Sequence, residues 1–409
     1  MVCVGIDWSD TSHSVNILDR LGEKLDVFEI PHSQDGFESL HRHIMRRVSS
    51  PQDAPVAIET NNSLIVDFLS ELGYTLYFLN PKQTDRFRDR HRMSRSKTDP
   101  FDAYVLADAL RTDMHLFNSL SPLDEQSLTL RVLTRTREGA VGRKVAIQNE
   151  LTAYLKRYYP VSLQLFVGID NREAIGFLLA YPSCEQACRL SQAQIASVLA
   201  KEGVSRGIAA KHAAAAHTKL KQAQPRPSPA VGRAYPLAVV SLLRQFQAVL
   251  EEIQALEAQI RDVYKDHPNK DLIESLPGVA EVLGAVLAAE IGSDITRFCD
   301  IKTLKAFAGT SPVTQQSGQY RGVHFRRACN THVRRALHLA SQSAISQAGW
   351  AREVYDRLRA QGKTHGRALR AVANQLVEML HVVLLRRAPY DESYHLRMRA
   401  LHGRAIVQI

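Results

Sequence analysis

The chain has 409 residues, enough for two or three domains with sizeable cores. Its 45% hydrophobic and 23% charged residues are those of an ordinary globular protein, not of a disordered or fibrous one. A net charge of +10 and a pI near 9.4 favour polyanionic partners, nucleic acid first, against the plainer alternative of a basic solvated surface.

Residues 2 to 80 alternate between strand and helix patterns. "VCVGIDW" is read as a short apolar run ending in Asp7, and "SVNILD" and "KLDVFEI" as two further strands. "SQDGFESLHRHIMRRV" has helical period, with Phe37, Leu40, Ile44 and Val48 three or four apart. "APVAIET" is a strand closing at Glu59, "SLIVDFLSELG" a helix stopped by Gly73, and "YTLYFLN" a strand stopped by Pro81. This order matches a ribonuclease-H-like α/β arrangement. Residues 82 to 97, "KQTDRFRDRHRMSRSK", carry seven Lys or Arg against two Asp and read as a solvated loop suited to nucleic-acid contact.

Residues 123 to 158 are expected as one long helix, with Arg137 and Lys144 interrupting its apolar seam. Val239, Leu242, Phe246, Val249, Ile253, Leu256, Ile260 and Val263 form a cleaner heptad seam, to be paired with the first helix or with another subunit. An alanine-rich helical insert (160–221) and a linker, "QAQPRPSPAVG", lie between them. From 270 onward the chain is mostly helical. The expected class is therefore α/β plus α, in three parts: 1–115, 116–268 and 269–409.

Five scattered cysteines (3, 184, 188, 299, 329) argue for reduced thiols in a cytoplasm. "CEQAC" lacks a second pair or a nearby histidine, which favours buried thiols over zinc. No signal peptide is evident, and the most apolar run, "GVAEVLGAVLAAEIG", is interrupted by glutamates and too short to cross a bilayer.

Chemistry concentrates in two places. In "KTDPFDA", Pro100 suits the first helical position with Asp99 as its cap, and Asp102 would then be the third helical residue, favoured by the helix dipole. Capping alone explains this motif. Asp7 and Glu59, each closing an apolar strand, add a second reading: four carboxylates at one sheet edge, a hard-oxygen set for Mg²⁺ or Mn²⁺. In "QQSGQYRGVHFRR", Ser317 precedes a glycine and Arg321, Arg326 and Arg327 follow. Arginines could neutralise a phosphodiester under serine attack, although spacing alone favours an ordinary Ser-Gly turn. "SLPGV" fits equally a phosphate-binding helical hairpin around Gly278 or a turn before a buried helix.

Taken together, "GIDWSD", "AIET", "KTDPFDA", the coiled-coil pattern, "LPGV" and "AGTSPVTQQSG" resemble the insertion-sequence one-ten family of DEDD transposases, over nearly the whole chain. The resemblance implies a RuvC-like N-terminal domain, a metal-binding set at Asp7, Glu59, Asp99 and Asp102, and a nucleophilic serine at Ser317, with Ser311 its near neighbour. It further implies donor and target DNA as substrates, an element-encoded bridge RNA as guide, and a dimer or tetramer in which the RuvC-like site of one subunit completes the serine site of another. Arg86, Arg88, Arg90, Arg92, Arg95, Lys97, Arg321, Arg326, Arg327, Arg334 and Arg335 are the candidate nucleic-acid contacts. Competing classes are a RuvC-like nuclease without a catalytic serine, an actin-like ATPase, for which glycine-rich phosphate loops are missing, and a non-catalytic nucleic-acid scaffold.

Overall fold

Apolar runs and turn residues at the N-terminus give β1 (Cys3–Trp8), β2 (Ser12–Leu18), β3 (Lys24–Pro31), α1 (Gln34–Met45), β4 (Val56–Ile58), α2 (Leu64–Glu71) and β5 (Leu76–Phe78), the order read from the sequence. These come from a computed structural model that describes all residues except 61–62, 92–97, 118, 121–122, 223–224, 226, 319 and 402–409. The sheet order is β3-β2-β1-β4-β5-β6, with β6 at Ser119–Leu120. β1, β2 and β3 form an antiparallel meander, β4 and β5 run parallel to β1, and β6 returns antiparallel to β5.

The two faces of the sheet are covered by different helices, as side-chain alternation requires. Val4, Ile6, Val56 and Ile58 bury against Phe37, Leu40, Ile44, Ile65 and Leu69 of α1 and α2. Ala57 joins Leu79, Leu106, Ala109 and Leu110 in a second core. The last three belong to α4 (Asp99–Asp113), which follows α3 (Pro81–His91). Part of the basic segment expected as a loop is therefore helix α3. Its inward positions are Thr84, Phe87, Arg88 and His91, a helical period that reads as polar because only Phe87 among them is apolar.

The chain divides into two compact units, Met1–Pro122 and Leu123–Ile409. In the second, α5 (Glu125–Tyr158) is followed by five short helices: α6 (Ser162–Leu165), α7 (Arg172–Ala180), α8 (Cys184–Ala187), α9 (Gln192–Lys201) and α10 (Arg206–Leu220). Next comes α11 (Pro229–Tyr264), which starts well before the seam read from the sequence. α5 and α11 pair antiparallel within the chain: Gln126 donates to the Val263 carbonyl (2.8 Å), and Arg137–Glu257 (2.6 Å) and Arg143–Glu252 (2.7 Å) bridge the two helices. Val239, Phe246, Val249, Ile253 and Ile260 are buried as the heptad predicts. Leu243 and Tyr264 are buried more deeply than Leu242 and Val263, because α11 also packs against other helices at each end. The interruptions on α5 are satisfied as well, Arg137 by Glu257 and Lys144 by Asp170 (2.9 Å). The seam thus closes without a second subunit.

The remaining helices are α12 (Lys270–Glu274), α13 (Glu281–Ile291), α14 (Ile301–Phe307), α15 (Thr331–Gln347), α16 (Gly349–Ala360), α17 (His365–Arg386) and α18 (Glu392–Leu401). An exposed hairpin, β7 (Val313–Ser317) and β8 (Tyr320–His324), interrupts them. α17 is long and apolar enough to cross a membrane, yet its apolar side is packed in the core with α15 and α16. Gly278 (φ +79°) donates its amide to Gln347 Oε1 (2.8 Å) and lies against the α15 backbone at Ala340. "SLPGV" is therefore a packing turn whose amide is already taken. The Cys184 and Cys188 thiols are free, with sulfurs 3.5 Å apart.

Buried charge ties this unit together. Glu290 on α13, within the run that reads as merely interrupted by glutamates, accepts from Arg135 (2.8 and 3.0 Å) and Asn330 (2.7 Å). Burial pushes its carboxyl up, and the arginines and Asn330 more than offset this, holding it below the usual carboxylate range. Asp124 caps α5, accepting from Ser127 N (2.9 Å), Ser127 Oγ (2.7 Å) and Ser293 N (3.1 Å). Burial would raise its pKa, but these donors bring it down to about 2. A depressed carboxylate stabilises the fold above its unfolded value, about 3.9, and that stability is lost as pH falls through the folded one. Urea unfolding should show the wild type losing stability from about pH 4 toward pH 2 more steeply than Asp124→Ala, which should be less stable at pH 7 by about 1–2 kcal/mol as a lost helix cap.

Candidate active site

Gly5 fixes the geometry of the N-terminal site. A methyl group here would overlap the Ala103 carbonyl oxygen and the Ala107 amide, so the α4 backbone lies directly on β1. Asp7, two residues on, shares the face of Gly5. Glu59 follows Ile58, which pairs with Ile6 in the parallel register, so Asp7 and Glu59 end neighbouring strands at the same edge. Asp102, adjacent to Ala103, is buried in the first turns of α4.

Asp99 is placed differently. Thr98 caps α4, Asp99 is its first residue and Pro100 its second, so Asp102 stands one position further into the helix than the capping pattern predicts. The Phe101 and Asp102 amides both donate to the Thr98 carbonyl (2.9 Å each). Asp99 is exposed. Asp7 and Glu59 thus end neighbouring strands, Asp102 lies in the helix that crosses β1 at Gly5 and Asp99 is exposed, and among the described residues no three such side chains are close enough to hold a metal ion.

The countercharge here is internal. Arg88 of α3 donates Nε to Asp102 Oδ1 (2.8 Å) and Nη1 to Asp85 (2.5 Å), with most of its side chain covered. Burial would lower the guanidinium pKa, but the two carboxylates raise it. Arg88, expected as a nucleic-acid contact, is instead turned inward. Arg90 lies 3.7 Å from Asp113 and Arg86 is exposed, while Arg92, Arg95 and Lys97 lie outside the described residues. The donor chemistry, carboxylates alone at a strand edge, suits a hard divalent cation.

Ser317 is the last residue of β7, paired with Tyr320 across the hairpin tip, where Gly318 takes φ +57°. It is exposed, as are Arg321 and Arg327. Residues 313–327 contain no acidic side chain. Ser311 sits lower and is partly buried, and its carbonyl accepts from Arg326 Nε (3.1 Å). Arg335 is bound to Glu138 (2.6 Å), which also pairs with His332. Arg334 donates to the Cys329 sulfur (3.3 Å).

Comparison with known proteins decides the family. Residues 4–160 match a family model described as "Transposase", and residues 270–356 match one described as "Transposase IS116/IS110/IS902 family". The Streptomyces coelicolor protein named "Mini-circle putative transposase for IS117" is 33% identical over 96% of this chain and 95% of its own length. The chain belongs to the IS110 family of DEDD transposases. The IS110 insertion-element protein of the same organism is 28% identical over 94% of each chain, and that of IS116 from Streptomyces clavuligerus 26% over 94%. This transposase is accordingly an enzyme that acts on DNA.

Sequence reasoning missed some residues of the transposase that hold its sites in place. Asp108 is buried on α4 between Arg111 (2.9 Å from Nε) and His91 (2.9 Å), fastening α3 to α4. Its signal was an aspartate set among Val105, Leu106, Ala107, Ala109 and Leu110. Ser127, Asp124 and His267 are within hydrogen-bonding distance, but Ser127 and His267 are buried and serine, not histidine, stands in the middle, so the set is a structural lock. Gly5→Val should force α4 off β1. We expect an apparent loss above about 3 kcal/mol, as for severe overpacking against backbone, read as a lowered thermal midpoint and faster amide exchange in α4, whereas Gly142→Val, where open space surrounds the glycine, should lose far less.

Proposed function

We propose that this transposase cuts and rejoins the DNA strands of an insertion element through Ser317, guided by an element-encoded bridge RNA. The carrying observation is the placement of Ser317, exposed at the tip of a hairpin that bears arginine and no carboxylate. The alternative serine, Ser311, is partly buried, held through its carbonyl and stiffened by Pro312.

Attack by Ser317 Oγ forms an oxygen–phosphorus bond as one strand phosphorus–oxygen bond breaks, and the serine proton ends on the departing strand oxygen. One phosphodiester replaces another, so the reverse step, with a new strand hydroxyl as attacker, rejoins DNA without an external energy source. Arg321, paired opposite Gln316 beside the tip, offsets charge developing on the phosphoryl oxygens.

The N-terminal sheet supports a RuvC-like, ribonuclease-H-like assignment: an antiparallel meander of three strands followed by two strands parallel to the first. Asp7, Glu59, Asp102 and Asp99 would hold Mg²⁺ or Mn²⁺. When bound, such a cation polarises the phosphodiester and screens its charge. Arg88 orients Asp102, and Asp108 with His91 and Arg111 sets the pose of α3 against α4. Because the α5–α11 seam closes within the chain, assembly into a dimer or tetramer would use other surfaces than that seam.

Ser317→Ala should keep its fold and its RNA binding while the covalent protein–DNA adduct on element-end DNA falls by at least roughly 10³-fold, as for loss of a nucleophile. Ser311→Ala should retain the adduct. Continued strand cleavage by Ser317→Ala, with water taking the place of the serine, would instead support a metal-dependent nuclease.

A further inference from the structure

The connection after β8 and the helices α15 and α17 bring together cationic groups that the serine chemistry leaves unused. Arg334 and His338 lie one turn apart on α15, Arg367 and Arg370 one turn apart on α17, and Phe325 follows β8 directly. The guanidinium carbons of Arg334 and Arg370 are 5.1 and 4.9 Å from the centre of the same Phe325 ring. Among the described residues, no carboxylate pairs with Arg334, Arg367 or Arg370. Glu138 is committed to His332 and Arg335, and Glu378 to Lys305.

This is an expensive arrangement for a chain to hold without an anion. Burial, then Arg367 and Arg334, lower the Arg370 guanidinium, and burial, then Arg370, Arg334 and His365, lower the His338 imidazole. The His338 Nε2 is buried without a hydrogen-bond partner. The ring face of Phe325 only partly offsets the repulsion between two cations, but it fixes their positions. Held guanidinium forks suit a phosphate, which they can grip with paired hydrogen bonds.

We infer that Arg334 and Arg370, fastened by Phe325 and supported by Arg367, form a phosphodiester clamp on a bound nucleic-acid strand. The clamp rests on the reading of Ser317 above for its relation to the chemistry. Phe325 is five residues along the chain from Tyr320, the partner of Ser317, so at about 3.3 Å per strand residue the clamp sits about 16 Å from the hairpin tip. It therefore grips a phosphate other than the one attacked and acts on binding and register.

The test uses the full chain carrying Ser317→Ala, so that no covalent step enters. Dissociation constants are measured across a salt series for duplex DNA bearing the element end and, separately, for RNA transcribed from the element's noncoding flank. Arg334→Gln with Arg370→Gln should lower the slope of log K against log salt by about 2 for duplex DNA, or about 1.4 for single-stranded RNA, and the affected arm identifies the strand held. Arg334→Lys with Arg370→Lys should keep the slope and weaken binding. If the glutamine pair does not fold, Arg367→Gln alone, on an exposed position, should lower the slope by just under 1. An unchanged slope in both arms, or an equal loss in the lysine pair, would overturn the clamp. Neither result bears on the covalent-adduct test, which can fail or succeed independently.

Discussion

The close approach of α4 to β1 at Gly5 governs the arrangement of the N-terminal unit. Without a side chain at that position, helix backbone meets strand backbone, and the start of α4 comes to the edge where β1 and β4 end. Asp102 is buried there as a consequence, and a buried carboxylate demands a cation. Arg88 answers that demand, which in turn fixes α3 against α4, an attachment that Asp108 and His91 repeat further along. The acidic edge and the helix carrying part of the basic segment are thus one electrostatic construction.

The C-terminal unit follows a different logic. Two long antiparallel helices span it, and separate cores form at their two ends, one with the short helices of the insert and one with α12 to α17. The buried Glu290 is paired with Arg135 and Asn330, and the half-buried Glu138 with His332 and Arg335. Against that background, the hairpin and the segment after it stand out for carrying arginines without carboxylates. A frame with its own charges satisfied, presenting cations at one exposed hairpin, suits a polyanionic substrate better than it suits a protein partner.

Much of this was legible in the sequence. Alternating apolar runs closed by Gly73 and Pro81 defined the N-terminal elements in order, and the heptad from Val239 to Val263 located α11. The failures have physical causes. Helix α3 was hidden because Thr84, Arg88 and His91 occupy inward positions, and periodicity counts only apolar residues. The α4 start was displaced by one because Asp99 and Thr98 are both good caps and local sequence does not choose between them. Glu290 looked like a break in an apolar run, since its partners lie about 40 and 155 residues away in sequence. Phe325 and Arg370 are 45 positions apart, a separation from which no local pattern could join them.

The cation site proposed at Asp7, Glu59 and Asp102, beside the Arg88–Asp102 pair, is open to direct measurement. Mn²⁺ binding to the full chain, followed by electron paramagnetic resonance, tests it without requiring DNA. We expect a saturable site weakened at least tenfold by each of Asp7→Asn, Glu59→Gln and Asp102→Asn, with Arg88→Gln leaving the site intact or tighter. Mn²⁺ affinity untouched by Asp102→Asn would contradict this proposal.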